Sequence, residues 1–292
     1  MDTKFINLKF ESKNKSLKVG KNESYRLLRI EGIDSGEYEL DISDNALYDG
    51  VNITSRKIKY RPIVAECEYN GKNLEFERRK LAEFFNIHND GKLTINYMGT
   101  QRTINYVTES FDVKLENVYK SLKFLVQLYC PDPFLKDIEE HKKEIALWRG
   151  DFHFPLSILQ STGITMGHRE PSLIVNVNNK GHIKTGMRIE FKARGTLKNP
   201  SLFNVNTREF IKINKGMVAG EKIIINTNQG NKKIVSVLNG VTTNILNYID
   251  VVGGGNTFLQ LDVGDNLLRY DADEGLDNLE VNIYYNNNYL GV

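Results

Sequence analysis

Residues 122–130 carry the sequence feature that most limits the fold, a period-2 alternation of apolar side chains that a proline ends. Every second position from Leu122 to Leu128 is apolar, which is typical of a half-buried β-strand. Pro131 has no backbone N–H to donate, and it biases Cys130 toward extended geometry. The sequence therefore predicts a strand that ends near Cys130 and divides the chain in two.

The residues that follow this strand predict a helix. Asp132 is a residue type that caps helix N-termini, and Pro133 suits the first helical position. We therefore expect a helix from Phe134 to about Leu147. Its apolar side would consist of Leu135, Ile138 and Ile145.

The pattern changes from mixed to all-β across this region, which predicts two domains. A chain of 292 residues is long enough for two separate cores. The predicted parts are an N-terminal domain of residues 1–134, a helical linker of residues 135–150 and a C-terminal domain of residues 151–292. The residues assigned to the junction are Cys130, Pro131, Asp132, Pro133 and Phe134.

The first half combines strands with one helix. In residues 58–69 the apolar alternation changes parity, which predicts a β-bulge at Arg61-Pro62. Asn73 is a capping residue type, and the apolar stripe after it predicts a helix to about Asn86. The basic run of residues 78–80 lies off that stripe and is expected to face solvent. This half is expected to form a β-sandwich that carries one helix.

A further alternation predicts a hairpin over residues 93–107. Apolar side chains recur at every second position on both sides of Gly99-Thr100, which can form a two-residue turn. A protruding hairpin offers unpaired edges and aromatic surface to a neighbouring chain. The residues predicted to contact that neighbour are Leu93, Ile95, Tyr97, Ile104 and Tyr106.

The second half consists of short apolar segments between turns. Residues 187–193, 222–225 and 279–285 are examples, and each is bounded by Gly, Asn or Asp. Strands this short at this spacing predict an all-β sandwich. Three consecutive glycines at 253–255 are not followed by a helical pattern, so they indicate a turn and not a phosphate-binding loop.

Charge and residue types argue against several functions. The formal net charge is +2, which is too small to indicate a nucleic-acid-binding surface. The two cysteines and five histidines lack metal-ligand spacing, and no serine or cysteine has a nucleophile-elbow context. We therefore expect no catalytic residue, metal or cofactor. No apolar run is long enough for a membrane helix and no signal-peptide pattern occurs, so we expect synthesis in a reducing cytoplasm without membrane contact.

One acidic group leaves a second function open. Clustered carboxylates can bind a hard cation or serve as the catalytic pair of a glycosidase. Acidic loops are also common in sandwich domains for solubility, and this interpretation is favoured. The residues concerned are Asp262, Asp265, Asp271, Asp273 and Glu274.

Three stretches in order resemble the distal tail proteins of siphophages, tail components also present in prophages of Gram-positive bacteria. Residues 129–134 match the aromatic-x-x-Asp-Pro-Phe signature that closes the N-terminal domain of that family. Residues 91–113 look like its hairpin arm. Residues 264–270, with 278–281 and 289–292, are similar to its C-terminal end.

The resemblance implies a fold and a set of partners. It implies an N-terminal belt domain that forms a ring, usually of six copies, and a galectin-like β-sandwich as the C-terminal domain. Such a ring, at the tail tip of the virion, joins the tail tube to the tail-associated lysin or hub protein and supports receptor-binding proteins. The tape measure protein is a further expected partner. The alternative is a carbohydrate-binding module or cell-wall hydrolase of a phage tail.

Overall fold

The structure, a computed structural model, describes residues 3–34, 36–45, 49–114, 121–145, 148–150, 167–169 and 174–292. The fold is mainly β, as predicted, and the described residues include one α-helix, α1 (Leu74–Phe84). The chain divides into two compact units. The first unit is Met1–Ile138 together with Asn288–Val292, and the second is Glu139–Asn287. The C-terminal residues therefore belong to the first unit.

The first unit is built around a sheet that closes on itself. The described strands of this unit, inside and outside that sheet, are β1 (Ile6–Ser12), β2 (Lys15–Val19), β3 (Tyr25–Glu31), β4 (Tyr38–Asp44), β5 (Val51–Ile58), β6 (Arg61–Tyr69), β7 (Asp90–Tyr97), β8 (Thr100–Lys114), β9 (Leu122–Cys130), β10 (Leu135–Lys136) and, from the C-terminal end of the chain, β24 (Asn288–Tyr289). Nine of them are hydrogen-bonded in the order β24-β10-β8-β7-β1-β2-β3-β6-β9. Because β9 also pairs with β8, the seven strands from β8 to β9 form a closed barrel.

The barrel core follows from the period-2 alternation of its strands. Every second side chain of β9 is buried, and β6 shows the same pattern. Each fully buried aliphatic or aromatic side chain contributes about 1.5–3 kcal/mol. Helix α1 adds Leu81 and Phe84 to this core, and the adjoining Phe85 packs edge-on against Phe10 at a centroid distance of 5.4 Å. The strand predicted to end near Cys130 is confirmed, since β9 ends at that residue.

A buried arginine holds three separate segments of the first unit together. The Arg61 side chain is 1% exposed. Its guanidinium donates to the carbonyl oxygens of Pro133 at 2.6 Å, Gly32 at 2.8 Å and Leu290 at 2.6 Å. The nearby Tyr289 ring lies under the Arg102 guanidinium, 3.7 Å from centroid to carbon. These contacts attach the C-terminal residues to the barrel.

The prediction of a helix over residues 134–147 is wrong for the part of this range that the structure describes. The chain forms β10 there, and then β11 (His141–Glu144). The three apolar residues expected on one helix face have different surroundings. Leu135 is buried in the first core, Ile145 is buried in the second core, and Ile138 is 44% exposed. Strand pairing of Leu135 with Tyr289 therefore overrides the local capping signal.

Two smaller predictions in the first half need correction. No bulge occurs at Arg61-Pro62, because the parity change marks the passage from β5, which pairs with β4, to β6, which is regular against β9. Asn73 does precede α1, but its backbone is left-handed at φ 61° and its side chain makes no capping hydrogen bond. The helix ends at Phe84, two residues before the predicted end.

The second unit consists of short antiparallel strands, as the turn spacing predicts. Its remaining strands are β12 (Trp148–Gly150), β13 (Gly167–Arg169), β14 (Ile174–Asn179), β15 (Met187–Ala193), β16 (Leu197–Asn204), β17 (Phe210–Lys212), β18 (Gly216–Met217), β19 (Lys222–Asn226), β20 (Lys233–Leu238), β21 (Val241–Asn244), β22 (Gly264–Glu274) and β23 (Leu279–Tyr285). Six strands form one sheet, in the order β11-β23-β15-β19-β20-β21, and β14-β22-β16-β17 form another with β18 beside β16. Strands β12 and β13 pair only with each other in the described chain. One continuous apolar core includes inward side chains of both main sheets.

Candidate functional site

The hairpin of β4 and β5 stands apart from the barrel. These strands pair with each other in a two-stranded sheet of their own, from Tyr38↔Ile58 to Asp44↔Val51. The ladder continues at the base, where Glu37 N–H donates to Tyr60 O and Lys59 N–H donates to Glu37 O, each at 3.0 Å. An isolated two-stranded hairpin is marginally stable in water. A hairpin of this length therefore needs a further surface to pack against.

One face of this hairpin is apolar and exposed. The large apolar side chains on it and their exposed fractions are Tyr38 63%, Leu40 57%, Ile42 59%, Val51 51% and Ile53 46%. Contiguous exposed apolar side chains of this size mark interaction sites on folded proteins. The hairpin is thus the strongest candidate for a protein interface in the described part of the first unit.

A register shift keeps these side chains on one face. The shift lies between Asp41 and Ile42 on β4, where Ile42 pairs with Ile53 and Asp41 pairs with Ser55. Thr54 is the extra residue, and its hydroxyl donates to Asp41 O at 3.0 Å. Since one inserted residue reverses the side-chain parity of a strand, Ile53 joins the face that also carries Ile58.

The opposite face of the hairpin is charged. The Glu39 carboxylate pairs with Lys57 at 2.7 Å and with Lys59 at 2.6 Å. Hydrogen bonds from Lys57 and then Lys59 lower the pKa of Glu39 below its usual value. The hairpin is therefore amphipathic, with a solvated ionic face behind the apolar one.

A shallow cavity lies near the base of the hairpin. It has a volume of about 340 Å³ and is lined by Tyr38, Glu39, Leu40, Arg56, Lys57 and Ile58. Arg56 stands opposite Leu40 in the register, so a cation adjoins the apolar side chains. A cavity of this composition suits an aromatic or aliphatic side chain of a partner protein.

The residues predicted as the ring interface lie elsewhere. Leu93, Ile95, Ile104 and Tyr106 are at most 2% exposed in the first core, and Tyr97 is partly buried against it. Their strands are inner strands of the barrel, because β7 also pairs with β1, and β8 also pairs with β9. Leu93, Ile95, Ile104 and Tyr106 therefore offer almost no exposed apolar surface to a neighbour, while Tyr97 keeps part of its surface exposed.

The residues assigned to the domain junction all lie in the first unit. Cys130 and Pro133 are buried, and burial raises the pKa of the Cys130 thiol to about 12. The Asp132 carboxylate pairs with Lys136 at 2.5 Å and does not cap a helix. The other thiol, Cys67, is also buried and its pKa is likewise raised to about 12. Neither thiol has the low pKa of a reactive cysteine.

Three carboxylates of the acidic group in the second unit pair with lysine side chains. Asp273 pairs with Lys212 at 2.7 Å and accepts from Asn199 at 2.9 Å, and both contacts lower its pKa. Glu274 pairs with Lys198 and Asp262 pairs with Lys184. The catalytic acid of a glycosidase needs a raised pKa. The pKa of Asp273 is lowered instead, so this carboxyl does not suit that role. Over the described ranges, no group of three or more metal-ligating side chains could hold an ion.

Membrane insertion by a helix has no support in the described chain. Its helices all lack the length or the apolar character needed to cross a bilayer.

Two family models match the chain. The model for the phage tail protein RIFT-related domain matches residues 6–130. The model for the C-terminal domain of siphovirus-type tail components, SPP1_Dit, matches residues 180–289. A comparison with curated proteins gives no significant match.

Solved structures with the same fold come from phage tails. The chain is similar to the Dit protein of phage SPP1, described as a paradigm of the hub adsorption apparatus in phages that infect Gram-positive bacteria. The two are 15% identical with a TM-score of 0.67, over 97% of this chain and 99% of that one. A chain of the phage P2 baseplate in its activated conformation with Ca is 12% identical, with a TM-score of 0.56 over 98% and 99%. The same baseplate with Sr gives a TM-score of 0.54 at 12% identity, also over 98% and 99%.

These findings agree with the barrel and sandwich described above. The residue ranges matched by the two family models contain most of the residues of the two apolar cores. The structural matches extend over nearly the whole chain. The chain belongs to the family of siphophage distal tail proteins, which are structural components of the phage tail.

Proposed function

We propose that this protein forms a closed ring of six copies at the tip of a phage tail. The ring joins the tail tube to the tail-associated lysin or hub protein and supports receptor-binding proteins. Contact with the tape measure protein is part of the same proposal. A ring of this kind needs complementary surfaces and no reactive group.

The exposed apolar face of the β4–β5 hairpin is the observation that supports this proposal. A head-to-tail interface pairs one surface of each subunit with a different surface of the next. The hairpin supplies the first surface, since its five large apolar side chains are between 46% and 63% exposed. In the part of the chain that the structure describes, β4 and β5 pair with no other strand, so their outer edges can pair with a neighbouring copy.

The test compares substitutions on the two faces of the hairpin. Ile42→Lys with Ile53→Lys places two charges on the apolar face, at residues that pair across the strands. Ser43→Lys with Ser55→Lys adds the same two charges elsewhere, at exposed positions that include the cross-strand partner of Asp41. Multi-angle light scattering and negative-stain electron microscopy report the assembly state of each protein.

We expect the parent and the serine variant to form rings and the isoleucine variant to stay monomeric and folded. The core would be intact in the isoleucine variant because neither residue belongs to it. If the parent protein is monomeric at assembly-like concentrations, the proposal of a ring is wrong. Intact rings of the isoleucine variant would show that the hairpin face does not build them.

A further inference from the structure

A cavity of about 830 Å³ lies in the first unit, where β1 ends and β7 begins. Its lining comes from the turn between β1 and β2, the start of β7, the middle of β8 and the two residues that follow β9. Cavities of about 300–1,000 Å³ are the size that holds small organic ligands. No described residue of the β4–β5 hairpin lines this cavity, so it is separate from the face proposed to build the ring.

The lining includes a buried tyrosine hydroxyl without a hydrogen-bond partner. Tyr106 is 2% exposed, and its hydroxyl makes no hydrogen bond within the described chain. Burial raises the pKa of Tyr106, so the hydroxyl keeps its proton at neutral pH and can donate it. Because nearly all buried polar groups of folded proteins have a partner, this hydroxyl indicates a partner atom that enters from the cavity.

A glycine places this hydroxyl at the wall of the cavity. Gly91 pairs with Tyr106 across β7 and β8, and with Ser12 across β7 and β1. A Cβ on Gly91 would lie 2.5 Å from the hydroxyl oxygen of Tyr106 and 2.2 Å from the ring carbon that carries it. Only glycine leaves room for the ring there. Since Gly91 lines the cavity and is partly exposed, the hydroxyl lies against a residue that a ligand can touch.

The charges around the cavity favour an anion. Six charged residues line it, and three of these are held in ion pairs: Lys15 with Glu83, Glu11 with Lys9, and Asp132 with Lys136. The other three, Lys13, Lys92 and Asp90, make no ion pair with a described residue. The unpaired charges of the lining therefore leave a surplus of one positive charge.

Both unpaired lysines flank the row formed by Ser12, Gly91 and Tyr106. Lys92 follows Gly91 directly, and Lys13 follows Ser12. Ser12 pairs with Lys15, so Lys13 and Asn14 form a two-residue turn, and their φ angles of 43° and 62° are typical of a type I′ hairpin turn. A turn this short holds the backbone of Lys13 at a fixed place on the rim of the cavity.

We propose that this cavity binds a small organic anion, a molecule with a carboxylate or phosphate ester group and an apolar part. The anionic group accepts a hydrogen bond from the Tyr106 hydroxyl and pairs with the ammonium groups of Lys13 and Lys92. The apolar part lies against Val107 and Pro131, which also line the cavity. The surplus positive charge selects an anion over a neutral molecule of the same shape.

Titration calorimetry on the full chain tests this site with three probes. Hippurate carries a carboxylate, phenyl phosphate carries a phosphate ester, and hippuramide is the neutral counterpart of hippurate. We expect saturable binding of at least one anion, and at least about tenfold weaker binding of hippuramide than of hippurate, because hippuramide has no charge to pair with the lysines. The anion that binds more tightly identifies the preferred group.

Three variants locate the binding. Lys13→Gln with Lys92→Gln removes both unpaired cations, and Tyr106→Phe removes only the hydroxyl. Each should weaken binding of the preferred anion by about tenfold. The matched control is Lys18→Gln, an exposed residue of β2 that does not line the cavity, and it should bind like the parent. Tyr106→Phe should keep the unfolding midpoint of the parent, because the hydroxyl has no partner in the described chain.

Several results would overturn the site. One is the absence of saturable binding of both hippurate and phenyl phosphate at millimolar concentrations. Another is equal affinity for hippurate and hippuramide. Binding that neither the double glutamine variant nor Tyr106→Phe weakens would place the anion elsewhere on the chain. None of these results bears on the ring, which is tested by the variants of the β4–β5 hairpin.

Discussion

Arg61 offers the sharpest test of how the first unit is held together. Its guanidinium donates to three carbonyl oxygens from segments that are far apart in the chain, at Gly32, Pro133 and Leu290. Burial lowers the pKa of Arg61 below its usual value, because water no longer solvates the charge. The substitution Arg61→Lys keeps the charge and removes the planar fork of donors.

The size of the effect follows from the hydrogen bonds that are lost. A hydrogen bond to a charged group contributes about 1.5–3 kcal/mol, and a buried carbonyl left without a donor costs about 1–3 kcal/mol. A lysine ammonium on a shorter stem cannot reach all three carbonyls, so at least one bond is lost. We expect Arg61→Lys to lower the free energy of unfolding of the first unit by about 2–4 kcal/mol.

Hydrogen exchange read by mass spectrometry, combined with urea unfolding, measures this effect in the full chain. Peptides from the barrel should exchange faster in Arg61→Lys, and peptides from the second unit should be unchanged. Residues 288–292 should lose the most protection, because Leu290 O is one of the three acceptors. The matched control is Arg29→Lys, whose parent side chain is 69% exposed.

The reasoning fails if Arg61→Lys unfolds within about 0.5 kcal/mol of the parent, the range typical of surface substitutions. It also fails if the variant is destabilised but residues 288–292 keep their protection. In that case the arginine would stabilise the barrel without attaching the C-terminal segment.

Two further predictions concern buried groups. Burial alone would raise the pKa of Glu221, but hydrogen bonds from Lys215, Ser236 and Val218 N–H outweigh burial and lower it. The Glu221 carboxylate therefore stabilises the folded protein at pH values above its pKa in the unfolded chain, near 4.5. This stabilisation is lost as the pH falls through the lower pKa that Glu221 has in the folded protein. Unfolding measured at a series of pH values tests this. Glu221→Gln should lower the free energy of unfolding by about 2 kcal/mol at pH 7 and by less at low pH. An equal decrease at both pH values would contradict the prediction. The second prediction concerns Cys67 and Cys130, whose pKa values burial raises to about 12. Maleimide should label neither thiol in the native protein and both thiols in urea. Fast labelling of the native protein would contradict their burial.

Local sequence pattern predicts much of the fold because burial repeats with the period of each element. The alternation in β9 and the helical stripe of α1 both correspond to buried side chains. The turns between short strands likewise predict the all-β second unit. In these places the residues that face the core are neighbours in one regular element, so one stretch of sequence contains the whole signal.

Local sequence pattern does not predict the structure of residues 134–147, because the strand partners of the described residues in this range are far away in the chain. The Asp132-Pro133 pair is a real helix-start signal, and the apolar spacing after it fits a helix. The return of residues 288–292 to the first unit gives Leu135 a strand partner instead. Nothing in the local sequence indicates that the last residues of the chain pair with position 135.

The two hairpins of the first unit show why alternation alone does not identify an interface. Both alternate apolar and polar side chains, and alternation shows only that one face avoids water. The core of the same chain can cover that face when further strands close the sheet around it, as for Leu93 and Ile95, or another molecule can cover it. The number of strand partners separates the two cases: β7 and β8 each have additional neighbours, while β4 and β5 have only each other in the described chain. An apolar face on a hairpin without such neighbours remains exposed in the monomer, and burial in an assembly is the remaining way to remove it from water.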